Sequence, residues 1–140
     1  VLSSCASKPF LEKKKPLAIG ARIEHPQRLI NKAQYGPYAD APQLGAADYT
    51  LVKKAGSTNE DRASYSFCMC PGGIVVAAAS EKGMVVTNGM SYYSRASGVA
   101  NSALVATVST DDFKGTDSLA GIRYLRKYEK KAYQLGGGGV

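Results

Sequence analysis

Three apolar runs, at residues 65–70, 74–79 and 84–87, lie so close together that little chain is left to join them. Pro71-Gly72-Gly73 separates the first two and Glu81-Lys82-Gly83 the next two. A crossover between parallel strands takes a dozen or more residues and usually a helix. Connections of three or four residues suit antiparallel hairpins. This spacing excludes a doubly wound parallel sheet for the middle of the chain.

The flanking segments extend the pattern. In "PLAIGARIE", Leu17, Ile19, Ala21 and Ile23 alternate with small or charged residues, the period of a strand with one buried face. "HPQRLINKAQYG" reads as a short helix with Pro26 in its first turn, Leu29, Ile30 and Ala33 on one face, and Gly36 as its stop. Residues 36–48 are loop, "YTLVKK" is a strand, "AGSTNEDRAS" is a polar loop, and residues 104–108 form a further strand. The clearest helix is the last. Ile122, Leu125, Tyr128, Ala132 and Leu135 recur at helical spacing, Asp117 or Ser118 can cap its start, and Gly136 can take the left-handed position that ends it. The expected fold is α+β, a mainly antiparallel sheet of about six strands with two helices. Residues 1–15 read as a linker or tail, 16–135 as one domain, and 136–140 as a glycine-rich end where the chain is cut short. The missing initiator Met also points to a piece of a longer protein.

Composition limits the class of function. The 140 residues are 44% hydrophobic and 21% charged, ordinary for a globular chain. The longest apolar run, "GIVVAAA", is far too short to span a bilayer, and no secretory signal opens the chain. Three cysteines are not a disulfide framework, so a reducing compartment is expected. The net charge of +7 is concentrated in Lys13, Lys14 and Lys15 and in Arg123, Arg126, Lys127, Lys130 and Lys131. The second cluster reads first as the solvated face of the last helix. A surface for nucleic acid or another polyanion is the alternative, disfavoured because no aromatic platform accompanies it.

Several segments are candidates for chemistry. Cys68 and Cys70, in "YSFCMCPGG", would share one face of an extended strand about 7 Å apart, too far for a relaxed disulfide. Zinc would need two more ligands, and Cys5 and His25 are not paired at ligand spacing, so no metal site is expected. Either the thiols pack as small hydrophobes or they take part in redox chemistry. Pro71, Gly72 and Gly73 read equally as a turn needing positive φ or as backbone that approaches a ligand. In "RIEHPQ", Arg22, Glu24 and the single histidine, His25, form either a surface ion pair beside a helix start or a polar substrate site. Asn88, Ser91, Arg95, Asn101 and Ser102 are set among small polar residues that either line a binding surface or satisfy local backbone.

Read in order, "KPLAIGARIEHPQRLINKAQYG", "AADYTLV", "YSFCMCPGGIVVAAASEKGMVVTNGMSYYSR", "ANSALVATVSTDDF" and "LAGIRYLRKYEKKAYQLGGG" resemble the central segment of FAD-dependent dehydrogenases. These are usually labelled NAD(P)/FAD-dependent oxidoreductases and occur in bacteria and plastid-bearing eukaryotes. The resemblance spans roughly residues 15–139, with "SFCMCPGG" and "RIEHPQ" its most specific motifs. It departs at "DSLAGI", where a glycine-proline pair usually precedes Leu-Ala-Gly-Ile, and at "AYQLGGGGV", where family members continue.

The resemblance implies a domain inserted between the two halves of a flavin-binding fold, covering the flavin and shaping the substrate pocket, and inactive alone. FAD would be bound mainly by segments absent from this sequence, with NAD(P) as a second nucleotide. The partners would be those flavin-binding segments and a small-molecule substrate. Cys68, Cys70 and His25 are the catalytic candidates. Pro71, Gly72 and Gly73 are the candidates nearest the flavin. Arg22, Glu24, Asn88, Ser91, Arg95 and Asn101 are candidates for the substrate pocket. The expected compartment is the cytoplasm, or the plastid stroma in a photosynthetic eukaryote. A structural subunit of a larger assembly is the third reading.

Overall fold

The computed structural model describes residues 17–56, 62–79, 81–113, 115 and 117–138. The expected tail at residues 1–15 and the end at 139–140 lie outside them, as do Cys5 and part of the 55–64 loop. Strand β1 (Leu17–Pro26) runs directly into helix α1 (Gln27–Tyr35), which stops at Gly36, φ 55°. Strands β2 (Val52–Lys53), β3 (Ser64–Cys70), β4 (Gly73–Ala77), β5 (Thr87–Ser91) and β6 (Val99–Val108) follow, and helix α2 (Ala120–Leu135) closes the described chain. The fold is α+β, with six antiparallel strands and two α-helices among the described residues.

The strands divide into two sheets. One has the order β1-β6-β3-β2, and the other is the β4-β5 hairpin. Strand β6 is the organiser. Its ten residues pair with β1 along the full length, from Leu17 opposite Val108 to Pro26 opposite Val99, and with β3 on the other edge. Ala100, Asn101, Ser102, Val105 and Val108 on β6 are buried. The hairpin packs against β1, β3 and β6. It meets the sheet face that carries Arg22, Glu24 and Asn101, because Glu24 Oε2 accepts the Val75 N–H at 3.1 Å.

Several expectations change. Pro71-Gly72-Gly73 does not make a hairpin: β3 pairs with β6 and, at Ser64 and Tyr65, with β2, while β4 pairs with β5 in a second sheet. The Glu81-Lys82-Gly83 connection does join an antiparallel pair, but β5 begins at Thr87 and not at Met84. Val85 N–H is given to the Glu129 carbonyl of α2, 3.1 Å, and not to a strand. Strand β6 starts five residues before the expected Leu104. The polar "NS" enters a strand because Arg22 binds Asn101, and the Ser102 hydroxyl lies 3.5 Å from the Phe67 carbonyl. "YTLVKK" contributes only two strand residues.

Helix α1 buries Gln27 and Ile30, while Leu29 is 60% exposed. Neither Asp117 nor Ser118 is the cap of α2: Leu119 takes that position without a side-chain cap, and Asp117 accepts the Leu119 N–H at 3.0 Å. Gly136, at φ −80°, is not left-handed; Gly137 and Gly138 take the positive φ values. Apolar side chains beyond the small core stay exposed, among them Ile23, Leu104, Ile122 and Leu135.

Candidate functional site

A β-bulge shapes the site. Phe67 faces Ala103 and Cys70 faces Asn101, so β3 carries one residue more than β6 across this interval. The extra residue twists the strand, and Cys68 takes a left-handed conformation with φ 47°. The bulge interrupts the regular period-two alternation between Phe67 and Cys70. Cys68 is exposed on the wall of a cleft. Cys70 is half-buried, and its Sγ lies 3.4 Å from the Cys68 carbonyl oxygen.

The cleft measures about 510 Å³. Its floor is the sheet face of β1, β3 and β6, with Ala18, Gly20, Arg22, Phe67, Ala103 and Val105. Its sides are the hairpin segment 85–88 and the Leu125, Tyr128, Glu129 and Ala132 face of α2. The Val85–Glu129 backbone bond and an Arg126–Glu81 ion pair of 2.5 Å clamp the two sides together. Volume and mostly apolar lining are those of a small-molecule site.

Arg22 is the cation of this cleft. Its Nη1 donates to the Cys68 carbonyl at 3.0 Å and to Asn101 Oδ1 at 2.5 Å. Asn101 is fully buried, and its Nδ2 has no hydrogen-bond partner among the described residues. Gly89 lies over this group. A Cβ there would overlap Arg22 Nη1, Asn101 Oδ1 and Cys70 Sγ, so only glycine lets the hairpin close down on the arginine. No Arg22–Glu24 ion pair forms, because Glu24 is turned to Val75.

The remaining candidates are drawn to other tasks. His25 Nδ1 donates to the Ala100 carbonyl at 2.7 Å, since a carbonyl only accepts. In the neutral ring Nε2 then accepts the Tyr49 hydroxyl at 2.9 Å. Both ring nitrogens are engaged away from the cleft lining. Pro71, Gly72 and Gly73 are buried. Gly72, φ 56°, packs against the Arg95 carbonyl, and its N–H donates to Gln27 Oε1 at 2.7 Å. Gly73 packs against the Met90 carbonyl, so both close approaches are to protein backbone. Ser91 Oγ donates to the Pro71 carbonyl at 2.9 Å. Asn88 lines the cleft while its Oδ1 accepts the Gly89 N–H. Arg95 is exposed with φ 46°. The structure thus brings Arg22, Cys68 and Asn88 to the cleft, places Asn101 and Cys70 directly beneath, and leaves His25, Glu24, Ser91 and Arg95 outside its lining.

Gln27, Gly89 and Tyr128 were not legible as site residues. Gln27 joins α1, the 47-loop and the Gly72 turn, donating to Asn31 Oδ1 and the Ala47 carbonyl as well as accepting from Gly72. Tyr128 reaches the cleft from a tilted aromatic row, Phe113–Tyr124–Tyr128, with the two hydroxyls 3.2 Å apart. That hydrogen bond pushes the Tyr124 hydroxyl up. Near this row, the Arg62 guanidinium and the Ser109 backbone N–H hold Asp112 down at about 2. The only available signals were a glycine inside a strand and a glutamine after proline, and neither names its partner.

Among the described residues no cluster of three His, Cys, Asp or Glu side chains is gathered as a metal site, and no helix is long and apolar enough to cross a membrane. Of the five basic residues clustered on α2, Arg123 and Arg126 are held by Asp117 and Glu81.

An uncharacterized protein of Clostridium beijerinckii is 58% identical to this chain over 124 residues, 89% of the chain and 23% of that protein's length. The chain therefore spans about a quarter of the relative it matches. The family described as "FAD-dependent protein, C-terminal domain-like" matches residues 16–140. With that match across nearly the whole fold that builds the cleft, the chain belongs to the FAD-dependent protein family, as its C-terminal domain-like segment.

Proposed function

We propose that this domain covers the flavin of a FAD-dependent oxidoreductase and shapes its substrate pocket, the cleft being the surface turned to the reacting ring. The observation that carries the reading is the cleft itself, with apolar walls and one half-buried guanidinium at the end where Cys68 stands. Such a donor beside small and apolar residues fits a planar ring with oxygen at one edge. The bound flavin would supply hydride chemistry, with NAD(P)H as the candidate reductant, while the protein supplies orientation and exclusion of water. In this reading Ala18, Ala103 and Val105 form a flat floor, Arg22 orients the polar edge, and Leu125 and Tyr128 keep water out. The domain acts as an insert of a longer flavoprotein and is inactive alone. Its compartment is the cytoplasm, or the stroma in a plastid-bearing source.

Hydrogen exchange of the full-length protein, with and without its flavin, tests this. Segments 17–22, 67–68 and 85–88 should be protected when flavin is bound. A colourless protein, or equal exchange at those segments, defeats the reading. Alkylation by iodoacetamide gives a second check: Cys68 should react faster than Cys70, and flavin should slow it.

A further inference from the structure

Among the described residues, Arg28, Arg62, Arg123 and Arg126 each hold a carboxylate, from Asp40, Asp112, Asp117 and Glu81. Arg22 is half-buried in the cleft and holds none. Glu24, two residues along the same strand face, is bound to the Val75 N–H, and Glu129, the carboxylate of the cleft wall, makes no ion pair with it. A guanidinium withdrawn from water without a counter-charge is costly unless something anionic meets it.

The hydrogen-bond pattern says how it is met. Nη1 has two hydrogens, and two acceptors take them: the Cys68 carbonyl and Asn101 Oδ1. Nε–H and Nη2 have no partner among the described residues. Those donors form the side-on edge of the guanidinium, whose spacing matches the two oxygens of a carboxylate. Asn101 is buried on the central strand and Cys68 is fixed in its bulge, so the fork is held before a ligand arrives. Preorganisation of this kind removes the entropic cost of ordering a long side chain.

We propose that Arg22 is the anion-recognition group of the cleft and takes a planar carboxylate of the substrate through its Nε–Nη2 edge, with Asn101 as its positioning residue. This rests on the reading of the cleft as a substrate pocket. The same edge would also fit an oxygen edge of the flavin ring, and the test separates the two sources.

The full-length protein is titrated by calorimetry with benzoate, a planar carboxylate, and with benzamide, its neutral counterpart. Benzoate should bind at least tenfold more tightly than benzamide. Arg22→Ala should cost at least tenfold in benzoate affinity. Arg22→Lys, which keeps the charge and loses the fork, should fall between. Gly89→Ala keeps the arginine but displaces its head, and should lose benzoate affinity with unchanged circular dichroism.

If the ligand is the flavin edge, benzoate is ignored and Arg22→Ala purifies with several-fold less flavin. That outcome overturns the carboxylate assignment and makes Arg22 a flavin contact instead. Wild-type affinity for benzoate in both Arg22→Ala and Gly89→Ala, with full flavin content, overturns the proposal. So does absence of benzoate binding with flavin content unchanged by Arg22→Ala. The calorimetric signal needs no flavin. A colourless protein that binds benzoate through Arg22 defeats the flavin reading and leaves this one standing.

Discussion

Gln27 and Asp117 each gather several hydrogen bonds, but in opposite surroundings. Gln27 is 6% exposed and ties together Asn31, Ala47 and Gly72. Asp117 binds Arg123 and the Leu119 N–H at the surface, at the start of α2, with its side chain 53% exposed. When a buried partner is removed, the groups it served are left without water or protein, at roughly 1–3 kcal/mol each. When an exposed partner is removed, water takes its place. The buried bonds of Gln27 therefore carry more of the fold than exposed pairs such as Arg123–Asp117.

The sharpest way to break this contrast is Gly72→Ala. The added Cβ would overlap the Arg95 carbonyl, at a residue already in the left-handed region. Urea denaturation should show a loss of about 4 kcal/mol, in the range of severe backbone conflicts. Gln27→Leu comes next, since it leaves the Gly72 N–H and the Ala47 carbonyl unpaired. A loss of about 3 kcal/mol is expected. A value below about 1 kcal/mol would mean that water replaces the glutamine, and the contrast would fail.

Asn101→Asp sharpens the comparison by importing a surface-type pair into the cleft. The carboxylate would meet Arg22 from beneath, and benzoate affinity should fall about tenfold, or about 1.4 kcal/mol. Arg126→Ala should cost no more than about 0.5 kcal/mol in the same denaturation assay, as exposed pairs do. A cost above about 2 kcal/mol would show that the Arg126–Glu81 clamp holds the hairpin, not merely decorates it.

The smallest effect is a pH dependence. Asp112 is held at about 2, first by its hydrogen bond to Arg62, below its unfolded value near 4. A depressed carboxylate contributes stability that is complete above the unfolded value and is lost as pH falls through about 2. Acid titration of the folded protein should show that slope between about pH 4 and pH 2, and Asp112→Asn should flatten it.

Much of the fold was legible. The alternation in "PLAIGARIE" marked β1, Gly36 marked the end of α1, and the spacing of Ile122, Leu125, Tyr128 and Ala132 marked α2. Less of the site was. Arg22, Cys68, Asn88 and Asn101 were singled out by residue type and do meet at or below the cleft. Pro71-Gly72-Gly73 read equally as a turn or as backbone near a ligand, and in the fold its glycines pack closely against Arg95 and Met90. A glycine announces close approach but not what approaches.

By itself the sequence determined the elements, their antiparallel character and the residues able to do chemistry. Those follow from side-chain period, turn residues and connection length, all of which act within a few positions. Only the tertiary structure decided that β3 and β4 part into different sheets, that β3 bulges at Cys68, and that Arg22 keeps an open edge. Each depends on a partner far along the chain. Asn101 meets Arg22 across 79 positions, and Gly72 meets Gln27 across 45. Nothing local to either residue records which distant strand will lie beside it, because that choice is made by burying β6 between two neighbours at once.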